Sequence, residues 1–101
     1  MKAIKQLKFS IPSDLDALGN LLATFNSLKM DFIPEQDWLE SQLALAEAFT
    51  NAVRHAHKNL DSSTQIEINI QIFRSYLEIY VWDHGESFDL IGLLEVLEKW
   101  I

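Results

Sequence analysis

Residues 65–83 read QIEINIQIFRSYLEIYVWD, and this stretch decides the fold class of the chain. Its first eight residues alternate a polar residue with isoleucine, which is typical of a strand with one buried face and one wet face. After a short break the alternation resumes at Leu77, Ile79 and Val81. The stretch therefore predicts an antiparallel hairpin. The same parity predicts that Asp83 faces the core side of its strand.

Upstream of the hairpin, the sequence predicts a short strand followed by a helix. Residues 7–11 alternate in the same way as the hairpin, and Pro12 is expected to close the strand. Ser13 and Asp16 form a pattern that often starts a helix. Leucines at helical spacing then predict a first helix that runs to about Lys29.

A second, longer helix is expected from Pro34 to about Asn59. Proline is tolerated in the first turn of a helix, and Glu35 and Asp37 suit the positive N-terminal end of its dipole. Asn59 is a plausible stop signal. Residues 88–101 are expected to form a last amphipathic helix. Together these elements predict a two-layer α+β sandwich, in which an open sheet is covered by helices on one face.

Composition and charge limit the domain count and the classes of function. The chain has 101 residues, 49% of them hydrophobic, and no Cys, so we expect one domain over residues 1–101 without disulfides or thiolate metal sites. The formal net charge of −7 repels phosphate backbones, so direct binding of nucleic acid is not expected. Because no apolar run is long enough to span a bilayer, we expect a cytoplasmic protein without membrane contact.

One face of the second helix carries a polar stripe made of Glu47, Asn51 and His55. Residues four apart stack on the same helix face, and the flanking positions of this stripe are largely apolar. A carboxylate and a carboxamide supply hard oxygen ligands, which suit Mg²⁺ beside a bound phosphate. A carboxylate also orients or deprotonates an attacking hydroxyl. A solvated helix face is the alternative interpretation of the same stripe.

A second candidate group, Asp83-His84-Gly85, stands at the end of the hairpin. A carboxylate on the core side of a strand end is costly unless a donor meets it, and the exocyclic amino group of adenine is such a donor. Glycine lets a ligand approach the backbone closely. The alternative interpretation is an ordinary turn, in which Asp and Gly are common residues.

Taken together, the two groups resemble a known nucleotide-binding family. Residues 46–56, AEAFTNAVRHA, are similar to the asparagine motif of the GHKL ATPases (gyrase, Hsp90, histidine kinase and MutL relatives), in the wording of the anti-sigma-factor serine kinases. Residues 81–89, VWDHGESFD, resemble the first glycine motif, although many members have a second glycine where Ser87 stands. The resemblance covers essentially the whole chain. It implies a Bergerat-type ATP-binding fold with a mixed, mostly antiparallel sheet.

The resemblance also implies a role for each matching residue. Asn51 would coordinate the Mg²⁺ that bridges the phosphates of ATP, and Glu47 would act as the catalytic base or orient the nucleophile. His55 would lie at the edge of the phosphate pocket, and Asp83 would accept a hydrogen bond from the adenine amino group. The other expected nucleotide-binding residues, beside the base and at the pocket rim, are Gly85, Ser87 and Phe88.

The implied activity is transfer of the γ-phosphoryl group of ATP to a Ser or Thr of an anti-sigma antagonist. In such a partner-switching circuit the kinase also binds a sigma factor. Family members continue into a lid and a second glycine motif, which nothing here matches, so we expect a C-terminally incomplete form whose exposed sheet edge favours a homodimer. The alternatives are a nucleotide-free interaction module of the same fold, a histidine-kinase catalytic domain and an unrelated small α+β protein.

Overall fold

A computed structural model describes residues 2–56, 65–83 and 94–99 of the chain. For His55, Ala56, Asp83 and residues 94–99 it describes the backbone alone. In chain order, the elements are β1 (Lys5–Pro12), a 3₁₀ turn (Leu15–Ala17), α1 (Leu18–Asn26), α2 (Glu35–Ala56), β2 (Gln65–Ile72), β3 (Tyr76–Asp83) and β4 (Leu94–Lys99).

The four strands form one sheet in the order β1-β2-β3-β4, and every described pair is antiparallel. The register aligns Phe9, Ile68 and Val81 across the first three strands. All four isoleucines of β2 are buried, whereas Gln65 and Glu67 on the opposite face are exposed. The predicted hairpin of β2 and β3 and the predicted α+β class are therefore confirmed.

The helices form the second layer, on the isoleucine side of the sheet. α1 packs against α2, and α2 packs against β3 and β4. The core between the layers consists of aliphatic and aromatic side chains from both helices and from the first three strands. Its largest fully buried members are Leu21, Phe25, Trp38, Leu45, Phe49, Val53, Ile66, Ile68, Ile70, Ile72, Leu77 and Ile79.

Trp38 joins the two helices at the start of α2. Its ring stacks on that of Phe25, with the centroids 4.1 Å apart and the planes 7° from parallel. Its indole N–H donates to the side-chain oxygen of Asn26 at 2.8 Å, so the one polar atom of the buried ring is satisfied. This contact fixes where α2 begins relative to α1.

The expected last helix over residues 88–101 is wrong where the structure describes the chain, because residues 94–99 form the strand β4. Leu94 and Leu97 satisfy helical spacing, whereas Leu94 and Val96 satisfy strand parity, and so short an apolar run does not distinguish the two structures. Pairing with β3 decides the outcome, since it places Leu94 opposite Val81 and Val96 opposite Ile79. Residues 88–93, 100 and 101 lie outside the described part.

The expected cap at Ser13 is wrong. Ser13 is fully buried, and Asp14 caps the 3₁₀ turn instead, because its carboxylate accepts a hydrogen bond from the Asp16 N–H at 2.9 Å. The residue before α1, Ala17, makes no side-chain cap bond. β1 runs on to Pro12, and the backbone of Asp14 is still extended. The first helical turn therefore begins only at Leu15. A 3₁₀ turn therefore precedes α1, and α1 ends at Asn26 rather than near Lys29.

Replacing Trp38 by alanine should lower the free energy of unfolding by about 3–5 kcal/mol, because it empties the junction of the two helices and leaves Asn26 without its donor. The matched control is Leu39→Ala at the next position, where the side chain is 54% exposed. It should change stability by no more than about 0.5 kcal/mol. Urea denaturation followed by circular dichroism measures both, and equal effects would contradict this account of the junction.

Candidate functional site

The packing of α2 determines which of its side chains reach solvent. Ala48, Phe49, Ala52 and Val53 are at most 3% exposed and face the sheet. With 3.6 residues per turn, burial of these positions turns the opposite side of the helix outward. Glu47 and Asn51 lie on that outer side and are exposed. The polar stripe thus follows from the same periodicity that builds the core.

Part of this outer face forms a cavity of about 310 Å³. Its lining residues are Ala46, Glu47, Thr50, Asn51 and Arg54, all from α2. The Thr50 hydroxyl donates to the Ala46 carbonyl at 2.8 Å, so its hydrogen is used within the helix while its oxygen can still accept. The cavity therefore offers a carboxylate, a carboxamide and a guanidinium side by side.

These groups fit a phosphate ligand accompanied by Mg²⁺. Magnesium prefers oxygen ligands and is commonly held by one or two protein groups together with substrate phosphates and waters. Asn51 and Glu47 supply such oxygens, and Arg54 supplies a positive charge for an anion. Among the described residues no group of three or more His, Cys, Asp or Glu side chains could hold a metal by itself. A metal ion here would consequently share its ligands with a bound anion.

Some of the site residues predicted from the sequence lie together in the structure, some are described by their backbone alone, and others lie outside the described part. Glu47 and Asn51 meet in the cavity, and the backbone of His55 continues the same helix. Asp83 ends β3 opposite the buried Ile66, so its position lies on the helix-covered face, as the parity predicts. α2 packs against the strand that Asp83 ends. The expected residues outside the described part are Gly85, Ser87 and Phe88.

Two cavity residues, Thr50 and Arg54, are absent from the sequence-based set. Arg54 lies near the C-terminal end of α2, where a positive charge suits the helix dipole, and this explanation requires no ligand. It also lies three residues beyond Asn51 and seven beyond Glu47, which are the spacings of one helix face. That spacing is the signal that places Arg54 in the site.

A larger cavity, of about 590 Å³, lies on the open face of the sheet. It is lined by Lys8, Phe9, Ser10, Glu67, Ile68, Asn69, Tyr80 and Trp82. Trp82 is 38% exposed there. This cavity contains none of the sequence-predicted site residues, whereas the smaller cavity on α2 contains Glu47 and Asn51, so the α2 cavity is the candidate site.

None of the helices in the described part of the chain is both long enough and apolar enough to cross a membrane.

The double variant Glu47→Ala, Asn51→Ala should unfold within about 1 kcal/mol of the parent chain, because both side chains are exposed and neither contributes to the core. The matched control, Phe49→Ala on the buried face of the same helix, should cost about 3–5 kcal/mol. Thermal and urea unfolding of the three proteins test this. A large loss of stability in the double variant would mean that the stripe is structural.

The chain is similar to several proteins named serine-protein kinase RsbW. It is 31% identical to the serine-protein kinase RsbW of Bacillus subtilis over 84 residues, which are 82% of this chain and 52% of that protein. It is 29% identical to the RsbW of Bacillus licheniformis over 90 residues, which are 88% of this chain and 56% of that protein. It is 47% identical to the RsbW of Oceanobacillus iheyensis over 49 residues, 48% of this chain and 30% of the relative.

The chain spans about half the length of the first two of these curated relatives. A family model described as a histidine kinase-like ATPase domain matches residues 11–97, from the end of β1 to β4. That range includes both groups of residues on which the resemblance depends. The chain therefore belongs to the histidine kinase-like ATPase domain family.

Proposed function

We propose that this chain binds Mg-ATP at the α2 cavity and transfers the γ-phosphoryl group to a Ser or Thr of a protein substrate. The observation that carries the proposal is the shared cavity of Glu47 and Asn51, on the exposed face of a helix whose other face is core. Membership of the histidine kinase-like ATPase family supports it. So do the relatives, which are named as serine-protein kinases.

Each cavity residue has a part in this reaction. The Asn51 side-chain oxygen holds Mg²⁺ together with phosphate oxygens, and the bound ion neutralises phosphate charge. The Glu47 carboxylate orients the substrate hydroxyl and takes its proton as the hydroxyl oxygen attacks. His55 lies one turn beyond Asn51 on the same helix and borders the phosphates. The remaining nucleotide contacts, around the base and at the rim, come from Asp83, Gly85, Ser87 and Phe88.

The proposed partners are those that the resemblance to the anti-sigma-factor serine kinases implies, and the charge of the chain is compatible with them. An anti-sigma antagonist receives the phosphoryl group, and a sigma factor is the alternative partner in the same circuit. A chain with a formal net charge of −7 favours a basic protein surface over direct contact with nucleic acid. We place this activity in the cytoplasm, where both partners and ATP are present.

The site is tested by calorimetric titration of the chain with ATP and ADP, with and without Mg²⁺. Asn51→Ala should abolish the Mg-dependent part of binding, because it removes the metal-binding oxygen. Asp83→Asn should also weaken binding, because it replaces the acceptor for the adenine amino group by an amide. Glu47→Gln should keep binding within about threefold and lose phosphoryl transfer, because the amide has the same shape but cannot take the proton.

Arg74→Ala is the control for these titrations, since Arg74 lies over the Phe32 ring and not in the α2 cavity. It should bind nucleotide as the parent chain does. Unchanged Mg-ATP binding in Asn51→Ala would contradict the proposed site. Absence of nucleotide binding by the parent chain would favour the nucleotide-free interaction module over the kinase.

A homodimer is the proposed assembly. In the part of the chain that the structure describes, β4 pairs with β3 on one side and with no strand on the other. An unpaired strand edge is a template on which a second chain can add. We expect sedimentation equilibrium to give twice the mass of one chain at micromolar concentration, and a single-chain mass at every concentration would rule this assembly out.

A further inference from the structure

Arg54 is the cation that lines the α2 cavity within the described part of the chain. It is exposed, and it lies one turn beyond Asn51. Two other described cations have contacts elsewhere, because Lys29 pairs with Glu35 at 3.4 Å and Arg74 lies 5.5 Å from the centre of the Phe32 ring. A guanidinium in a cavity of an acidic chain is well suited to an anionic ligand.

The order of the cavity residues along α2 gives the bound nucleotide a direction. A rise of about 1.5 Å per residue places Asn51 about 6 Å from Glu47 along the axis, and Arg54 about 10 Å from it. Glu47 and Arg54 therefore mark opposite ends of the cavity, with Asn51 between them. The two ends carry opposite charges and suit opposite tasks.

The chemistry of phosphoryl transfer determines which part of the nucleotide lies at each end of the cavity. The attacking oxygen, the γ-phosphorus and the leaving oxygen are roughly in line. If Glu47 takes the proton of the substrate hydroxyl, the hydroxyl oxygen and the γ-phosphorus lie at the Glu47 end. The leaving diphosphate then lies farther along the helix, on the side of Arg54.

We propose that Arg54 binds the β-phosphate of the nucleotide and stabilises the charge that forms on ADP as it leaves. This inference rests on the proposed kinase function and adds a residue and an orientation to it. In the step, the hydroxyl oxygen bonds to the γ-phosphorus, the bond from that phosphorus to the β,γ-bridging oxygen breaks, and the electron pair stays on ADP. The hydroxyl proton goes to Glu47.

Arginine suits this task better than lysine. Its planar guanidinium can donate two parallel hydrogen bonds to one phosphate and does not lose its proton at physiological pH. The contact is strongest in the transition state, since the negative charge on the β-phosphate side grows as the bond breaks. Arg54 should consequently affect the turnover number as well as nucleotide affinity.

The test measures the affinity of the whole chain for ATP, ADP and AMP in the presence of Mg²⁺, for the parent and for Arg54→Ala. AMP is measured by competition against a fluorescent ATP analogue. Loss of a charge-assisted contact to the β-phosphate should weaken ATP and ADP about equally, by about tenfold or more, and leave AMP unchanged. Arg54→Lys should restore part of the loss, because it returns the charge without the paired hydrogen bonds.

Lys8→Ala is the charge-matched control, since Lys8 is an exposed cation on the open face of the sheet. It should leave all three affinities unchanged, and an equal loss there would show a general electrostatic effect and overturn the proposal. Weakening of ATP alone would place Arg54 at the γ-phosphate, and weakening of AMP would place it away from the β-phosphate. Either result, or no change at all, overturns the proposal.

The same titrations separate this inference from the proposed function. If the parent chain binds Mg-ATP, Asn51→Ala loses it and Arg54→Ala does not, only the role of Arg54 is overturned. If neither the parent nor any variant binds nucleotide, both are overturned. In a transfer assay, Arg54→Ala should lower kcat as well as raise KM for ATP, and a change in KM alone would contradict the role in stabilising the leaving group.

Discussion

The packing of α2 against the sheet is the constraint on which the rest of this structure depends. Every isoleucine of β2 is buried on one face of the sheet, and these side chains belong to the same core as Phe49, Ala52 and Val53 of α2. At about 25 cal/mol per Å² of apolar surface removed from water, this burial is the dominant favourable term in a small domain. The Trp38 junction then fixes where the helix begins.

The same constraint builds the candidate site. Burial of one face fixes the orientation of the helix about its own axis. Because the helix has 3.6 residues per turn, the residues on the opposite face are then exposed to solvent. Glu47, Asn51 and Arg54 are therefore held in order along a rigid element. Rigid placement matters for phosphoryl transfer, because that reaction depends mainly on positioning and on neutralising charge. For the proposed binding of ATP, an acidic chain needs local positive charge, and in this cavity Arg54 is the cation.

Strands and helices with an unbroken period could be predicted from the sequence, whereas boundaries and ambiguous segments could not. The alternation in residues 65–72 is compatible with no other regular structure, and the hairpin followed from it. Ser13 and Asp14 are both residue types that cap helices, and the sequence does not choose between them. The length of β1, which runs to Pro12, leaves Asp14 as the cap of the 3₁₀ turn. Residues 94–99 satisfied two periods, and the open edge of β3 selected the strand.

By itself, the sequence determined the α+β class, the hairpin, the long second helix and the stripe of Glu47 and Asn51, because each depends on spacing along the chain. It also carried the resemblance to the histidine kinase-like ATPase domain family, whose model matches residues 11–97. Tertiary structure decided the order of the strands, the conversion of residues 94–99 to a strand, and the inclusion of Arg54 in the cavity. These outcomes depend on which surfaces meet in space, and local spacing carries no information about a partner that is distant in the chain.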